Sequence, residues 1–457
     1  MNATEKISRF IVETKLERIP PPVVEAAKKA FLDCFGVTVA GSTEPVGRTI
    51  AAFVQEMGGK PESVVMGHGF RTSALWASLA NGAMSHAMDY DDGGGLHIAL
   101  HPSVTVAPVA LSLGEALGAG GAQVLEAYIL GIEVECKIAA GIAVEHMDRG
   151  FHPTATLGPF GAATAAAKLL RLDEQATRYA LGIVASTSSG LRQNFGTMTK
   201  PFHAGHACKN GVMAAMLAGR GLTSAPDILE APLGFYQVMA GDGLYDLAKA
   251  ADHLGSPWHF IYPGIKAKIY PCCRGNHTSL DTIFQLLKRH TIPAAAVAGV
   301  DVGADPNGAD LFYHDPKTTL EAKFSLEYSM AAALVDGQVG LHQFTEERLW
   351  DPQIREMVRK VHVFRHPKFE HTPDFVSEVT IKLRDGTTFN HLIHRKRSDV
   401  PAHMEWDELL AKFKDCAGLA LPRDVVGCLA ATLPQIESVK NIGTVMEMTR
   451  VPAGARA

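Results

Sequence analysis

One change in hydrophobic spacing constrains this 457-residue chain more than any other feature. From about Thr4 to Gly221 apolar residues recur at helical intervals in one segment after another, and past about Pro263 short alternating runs appear. Pro20-Pro21-Pro22 opens a helix whose apolar face runs through Ala26, Ala27, Ala30, Phe31 and Cys34 to a stop at Gly41. Further helices are expected over roughly 45–57, 72–90, 103–117, 121–144, 154–170, 173–189 and 203–220, with no sheet among them. Apolar content is 47% but aromatic content only 7%, so Ala, Val, Leu and Gly fill the interior and the helices should pack closely.

Beyond Pro263, Leu280, Ile283, Phe284 and Leu287 mark an amphipathic helix, and Val300 with Val302 and Val361 with Val363 mark strands. Thr318 and Glu321 form a capping box for a helix expected to end before Gly337. Val379, Ile381 and Leu383 alternate up to Asp385-Gly386, and a second strand returns through Phe389 to Ile393, a hairpin signature. Helical spacing resumes at Trp406, Leu409, Leu410 and Phe413. The expected fold is therefore mainly α: a large all-helical domain formed by both chain ends, 1–265 and 401–457, with an inserted smaller α+β lid domain over 266–400.

Lys and Arg number 43 against 48 Asp and Glu, a net charge of −5, so no basic excess exists to bind nucleic acid. No apolar run approaches the ~20 residues needed to span a bilayer, and the amino end reads as a cytoplasmic start. The seven cysteines are odd in number and include no C-x-x-C pair, which points to reduced thiols and not to disulfides or a zinc ribbon. There is no P-loop, no dinucleotide fingerprint and no Gly-x-Ser-x-Gly elbow.

Chemistry concentrates in four places. His86, Asp89, Asp91, Asp92, His97 and His101 fall within sixteen positions around Gly93-Gly94-Gly95, and Ser103 follows. Their plain reading is that Asp91 and Asp92 end one helix while Ser103 caps the next. As metal ligands, Asp89, Asp91, His97 and His101 have suitable chemistry, but the glycines break the helix that His97 and His101 would share and H-E-x-x-H is absent. His152-Pro153 puts an imidazole at a helix start, where an anion is favoured. Lys200 follows a stretch of hydroxyl residues and glycines, with His203 and His206 beyond it, at least one of them a packing or capping residue. Lys266, Lys268, Arg274 and His277 gather where the two domains should join. Imidazoles, carboxylates and separate cations suit proton transfer next to a carboxylate, with cations holding the substrate and stabilising enolate-like charge.

His86-x-x-Asp89-Tyr90-Asp91-Asp92 followed by His101-Pro102-Ser103, Phe151-His152-Pro153, Gly196-Thr197-Met198-Thr199-Lys200, Tyr270-Pro271-Cys272-Cys273 with His277, Ala322-Lys323-Phe324-Ser325 with Tyr328, and Lys412-Phe413 with Asp415-Cys416 together resemble the MmgE/PrpD family. Members of that family dehydrate 2-methylcitrate, decarboxylate cis-aconitate or epimerise iminodisuccinate. The resemblance implies a helical domain joined to an α+β lid, a homodimer, a site between the domains, and catalysis without an iron–sulfur cluster or nucleotide; no cofactor and no metal are expected. By motif it points to Asp91, His101, His152, Lys200, His277 and Tyr328; in the roles we expect, His101 and His152 are proton donor and acceptor, Asp91 orients and charges a histidine, and Lys200 grips a carboxylate. His277 and Tyr328 would close the pocket from the lid. Tyr328 also lies four residues after Phe324 and eight after Leu320, the spacing of a core face. The decarboxylating members carry a threonine where this chain has Gly95. The expected activity is dehydration of a small di- or tricarboxylate hydroxy acid, with epimerisation or decarboxylation as alternatives. A non-catalytic carboxylate-binding protein is the reading from a different class.

Overall fold

The structure, a computed structural model, describes residues 1–95, 98, 100–142, 145–396 and 404–451. His97, weighed above as a ligand, and the segment 397–403 around the expected 400/401 boundary lie outside the described residues. Contacts divide the chain into two units: Met1–Ala267 with Pro401–Ala457, and Lys268–Val400.

The first unit is almost entirely helical. Its Pro21–Gly41 helix is buried on every side from Ala30 to Gly41, as a helix at the centre of a bundle must be. Asp33 lies on that buried stretch, and its carboxylate is paired at 2.7 Å with Lys412 of the Trp406–Ala417 helix. Phe413 packs against Phe35, so the late helix is tied to the early one by an ion pair and a ring contact. The Ala74–Ala87 and Thr199–Ala218 helices lie closer than ordinary side chains allow. A Cβ placed on Gly205 would fall 2.2 Å from the Leu79 carbonyl oxygen. That contact brings two chemistry-bearing segments together, because His86 ends one helix and Lys200 begins the other.

Two expectations for this unit change. Short strands β1 (Ser63–Val64) and β2 (Arg71–Thr72) pair antiparallel where no sheet was expected, too brief for alternation to register. The helix expected over 154–170 is broken at Leu157 into Pro153–Thr156 and Gly158–Leu169.

The second unit holds a four-stranded mixed sheet of β3 (Val297–Ala304), β4 (Val361–Arg365), β5 (Phe375–Leu383) and β6 (Thr388–Arg395), in the order β4-β3-β5-β6. β3 pairs parallel with β4, Val300 opposite Val361, and antiparallel with β5, Val302 opposite Val379. The β5–β6 hairpin turns at Asp385-Gly386, and the His277–Arg289 helix packs on these two strands. Only half of the capping box expected at Thr318 forms: its hydroxyl accepts from the Glu321 N–H, Glu321 instead accepts from the Lys317 N–H, and the helix is just Thr319–Ala322. Ser325 then caps a second helix, Leu326–Asp336, by accepting from the Tyr328 N–H, so one expected helix is two. Among the described residues no helix is long and apolar enough to cross a membrane. All seven cysteines are free thiols, five of them buried.

Candidate active site

The end of the Ala74–Ala87 helix supplies the first group. His86 is fully buried, and its Nδ1–H donates to Asp91 Oδ1 at 3.0 Å. That fixes the tautomer and leaves Nε2 as a buried lone pair without a hydrogen-bond partner. The other oxygen of Asp91 stands 2.6 Å from His101 Nδ1, an ion-pair contact, while the Nδ1–H donates to the Asp92 carbonyl at 2.8 Å. Asp91 thus bridges two imidazoles. Burial pushes its carboxyl up, but His86 and His101 outweigh that and hold it well below the usual carboxylate range.

Asp92 does a different job. Its carboxylate accepts from the Ser103 N–H at 3.2 Å and from the Ser103 hydroxyl, so it caps the Ser103–Ala116 helix. Burial raises it to about 7, against the opposing pull of Ser103. The plain reading of the cluster therefore fails: the helix before it ends at Ala87, short of both aspartates, and Ser103 is the first residue of the next helix, held by Asp92, and not its cap.

The loop between Asp92 and His101 is pinned at its glycines. Gly93 exchanges backbone hydrogen bonds with Lys266, and the Gly94 carbonyl accepts from His259 Nε2 at 2.7 Å. The His259 N–H is in turn held by Glu133 at 2.7 Å. Gly95 has φ +81°, and a Cβ there would lie 2.8 Å from the Gly264 carbonyl. A threonine at this position would require the loop to move, so the departure at Gly95 is built into the backbone.

His152 stands beside His86, rings stacked with centroids 6.0 Å apart, and Phe195 meets it edge-on at 4.9 Å. The helix it opens is a single turn, too short to offer the anion site read from sequence. Its Nδ1 instead lies 3.0 Å from His203 Nδ1, and its Nε2 is buried without a partner. Burial first, then Lys200 and the neighbouring imidazoles, drive its basicity well below that of an ordinary histidine. Burial lowers His86 to about 3 and His203 to about 4.

Lys200 completes the group. Its ammonium is paired with the Asp89 carboxylate, both side chains almost wholly buried, and lies 5.3 Å from the Phe195 ring centroid. Asp89 adopts φ +52°, a conformation that costs a residue with a Cβ about 1 kcal/mol or more. Sequence reasoning named Asp91, His101, His152 and Lys200, and the structure brings these four into one cluster. It missed His86, His203 and the role of Asp89. Lys200 and His203 are three apart on one helix and so share a face, the signal that could have found His203.

Among the described residues, His86, Asp89 and His101 offer ligand atoms within 4.8 Å of one another and could gather a metal. Asp89 is committed to an ammonium and His101 to Asp91, so this donor set already serves protein partners. His277 and Tyr328 belong to the second unit. His277 opens the His277–Arg289 helix, with Tyr270 edge-on to its ring. Tyr328 is fully buried and its hydroxyl donates to the Gln343 carbonyl, as a core tyrosine does.

Profiles described as the MmgE/PrpD N-terminal domain and the MmgE/PrpD C-terminal domain match residues 5–248 and 270–429. The chain belongs to the MmgE/PrpD family. Among similar family members, the cis-aconitate decarboxylase of Mus musculus is 28% identical, over 99% of this chain and 94% of that protein. The cis-aconitate decarboxylase of Homo sapiens is 28% identical over 98% and 95%, and that of Aspergillus terreus 25% over 98% and 96%. The family's N-terminal domain contains the whole histidine–aspartate–lysine cluster. Its C-terminal domain runs past the second unit and takes in the Trp406–Ala417 helix, which carries the Asp33 partner Lys412.

Proposed function

We propose that this chain is a lyase acting on a small tri- or dicarboxylate, and that decarboxylation of a cis-aconitate-type tricarboxylate is its reaction. The observation that carries the proposal is the unequal treatment of two neighbouring imidazoles: His101 has a carboxylate at Nδ1, and His152 has another imidazole. A carboxylate partner favours the charged ring and a neutral, buried partner disfavours it, so the pair divides into acid and base. The near full-length likeness to cis-aconitate decarboxylases moves decarboxylation ahead of the dehydration expected from sequence motifs.

In this reading His152 Nε2 takes the proton of the departing carboxyl group, leaving it ionised. The C–C bond to that group then breaks and CO2 leaves. The electron pair forms a new double bond and displaces the old one toward the carbon beside a remaining carboxylate, an enolate-like anion. Lys200 offsets that charge, and the His101 imidazolium, held by Asp91, delivers the proton to carbon. His101 recovers its proton from His152 through solvent. No cofactor is required by this scheme. For His277 and Tyr328 a part in catalysis rests on the family resemblance alone, as does a homodimer.

Dehydration or epimerisation is the second reading, favoured by the neutral base at His152, because both reactions must break a C–H bond. Incubation with cis-aconitate, 2-methylcitrate and iminodisuccinate in deuterated buffer separates them. Decarboxylation predicts one equivalent of CO2 and one deuterium in the dicarboxylate product. Water loss from 2-methylcitrate, or deuterium exchange into iminodisuccinate without CO2, would replace it with the second reading. Saturable binding with no reaction would replace both with a carboxylate-binding role.

A further inference from the structure

Acid–base use of His152 requires one ring nitrogen to exchange protons while the other keeps its hydrogen bond. The partner that could enforce this is His203, on the first turns of the Thr199–Ala218 helix, 3.0 Å from His152 Nδ1 through its own Nδ1. Two facing Nδ1 atoms need one proton between them. If His203 were the donor, protonating His152 would force a hydrogen onto the atom that accepts, and the contact would break. If His152 is the donor, its Nδ1–H persists in both the neutral and the charged ring, and only Nε2 changes.

We propose that His203 is a positioning residue that holds His152 in the Nδ1–H tautomer and presents the Nε2 lone pair as the site's proton acceptor. His203 is then itself the Nε2–H tautomer, a neutral counterpart of Asp91 behind His101. Phe195 limits rotation of the His152 ring from the side, and His86, His101 and Lys200 act on it among the described residues. All of them disfavour a second positive charge, so an acceptor at Nδ1 is what makes proton uptake feasible. The inference rests on the proposed role of His152 and goes beyond it by naming what sets that role.

The test compares His203→Leu, which removes the acceptor, with His203→Gln, whose side-chain oxygen keeps one. Ring-nitrogen NMR of uniformly 15N-histidine protein, with His152 assigned through its loss in His152→Asn, reads the tautomer without any substrate. The expected native state has a protonated Nδ1 and a bare Nε2 at His152, lost in His203→Leu and kept in His203→Gln. On whichever carboxylate the native enzyme turns over, His203→Leu should lower kcat by ~10-fold or more with KM nearly unchanged, and His203→Gln should recover most of it. A native His152 protonated at Nε2, or a folded His203→Leu with native kcat, would overturn the inference. Native kcat in His152→Ala would instead overturn the proposed function.

Discussion

Two imidazoles of identical chemistry are set apart here by the atoms that hold their Nδ1 positions, and a lysine is fixed by an aspartate in a strained backbone. The Asp89–Lys200 pair is buried, so removing one charge leaves the other stranded. Asp89→Asn, which tolerates the same positive φ, is expected to cost about 3 kcal/mol in a denaturation curve and to raise KM for the carboxylate. Combining it with Lys200→Met should recover much of the stability while leaving KM high; additive losses would mean that the pair does not couple. His259 gives a prediction in pH. Burial lowers it to about 4, with Lys137 adding to that and the Gly94 carbonyl opposing it. An unfolded histidine titrates near 6.5, so as pH falls the unfolded state takes up the proton first. Native stability is therefore lost between about 6.5 and 4, by up to ~1.4 kcal/mol per pH unit from this group. Asp92, raised to about 7, acts in the opposite sense over that range, so the difference between variants is the quantity to read. His259→Gln keeps a donor for Gly94 and should give a shallower acid-side stability slope by that amount, with no change above pH 7. Parallel slopes would mean that His259 already binds its proton in the folded protein near neutrality.

At the scale of elements, the site depends on how closely the Ala74–Ala87 and Thr199–Ala218 helices approach. Gly205→Val would drive side-chain carbon against the backbone oxygen of Leu79, which cannot yield as a side chain can. The expected result is a loss of about 2 kcal/mol or more in stability and, because Lys200 and His203 sit on the displaced helix, a fall in turnover as well. An unchanged melting temperature would show that the helices can separate freely. The long helices were legible because their apolar spacing persists over many residues, and the β5–β6 hairpin because Asp385-Gly386 punctuates two alternating runs. Breaks were not. Leu157 lies in an Ala-rich stretch that reads as continuous helix, and Ser325 follows the earlier cap at Thr318 so closely that one start signal hid another.

For the molecule as a whole, motifs at 86–103, 152 and 200 pointed to the groups that the fold gathers into one cluster, because those residue types are expensive to bury without partners. What they could not give was pairing. That Asp91 serves two histidines, that Asp92 caps a helix and that Lys200 belongs to Asp89 depends on contacts between segments more than a hundred residues apart in the last case. The central claim is that His101 and His152 form one proton-transfer site for a polycarboxylate. It is tested most directly by steady-state turnover of cis-aconitate by His101→Ala and His152→Ala proteins whose circular dichroism matches the native chain. Each should lose ~10²-fold or more in kcat. Native kcat in both variants, alongside an active native enzyme, would contradict the account.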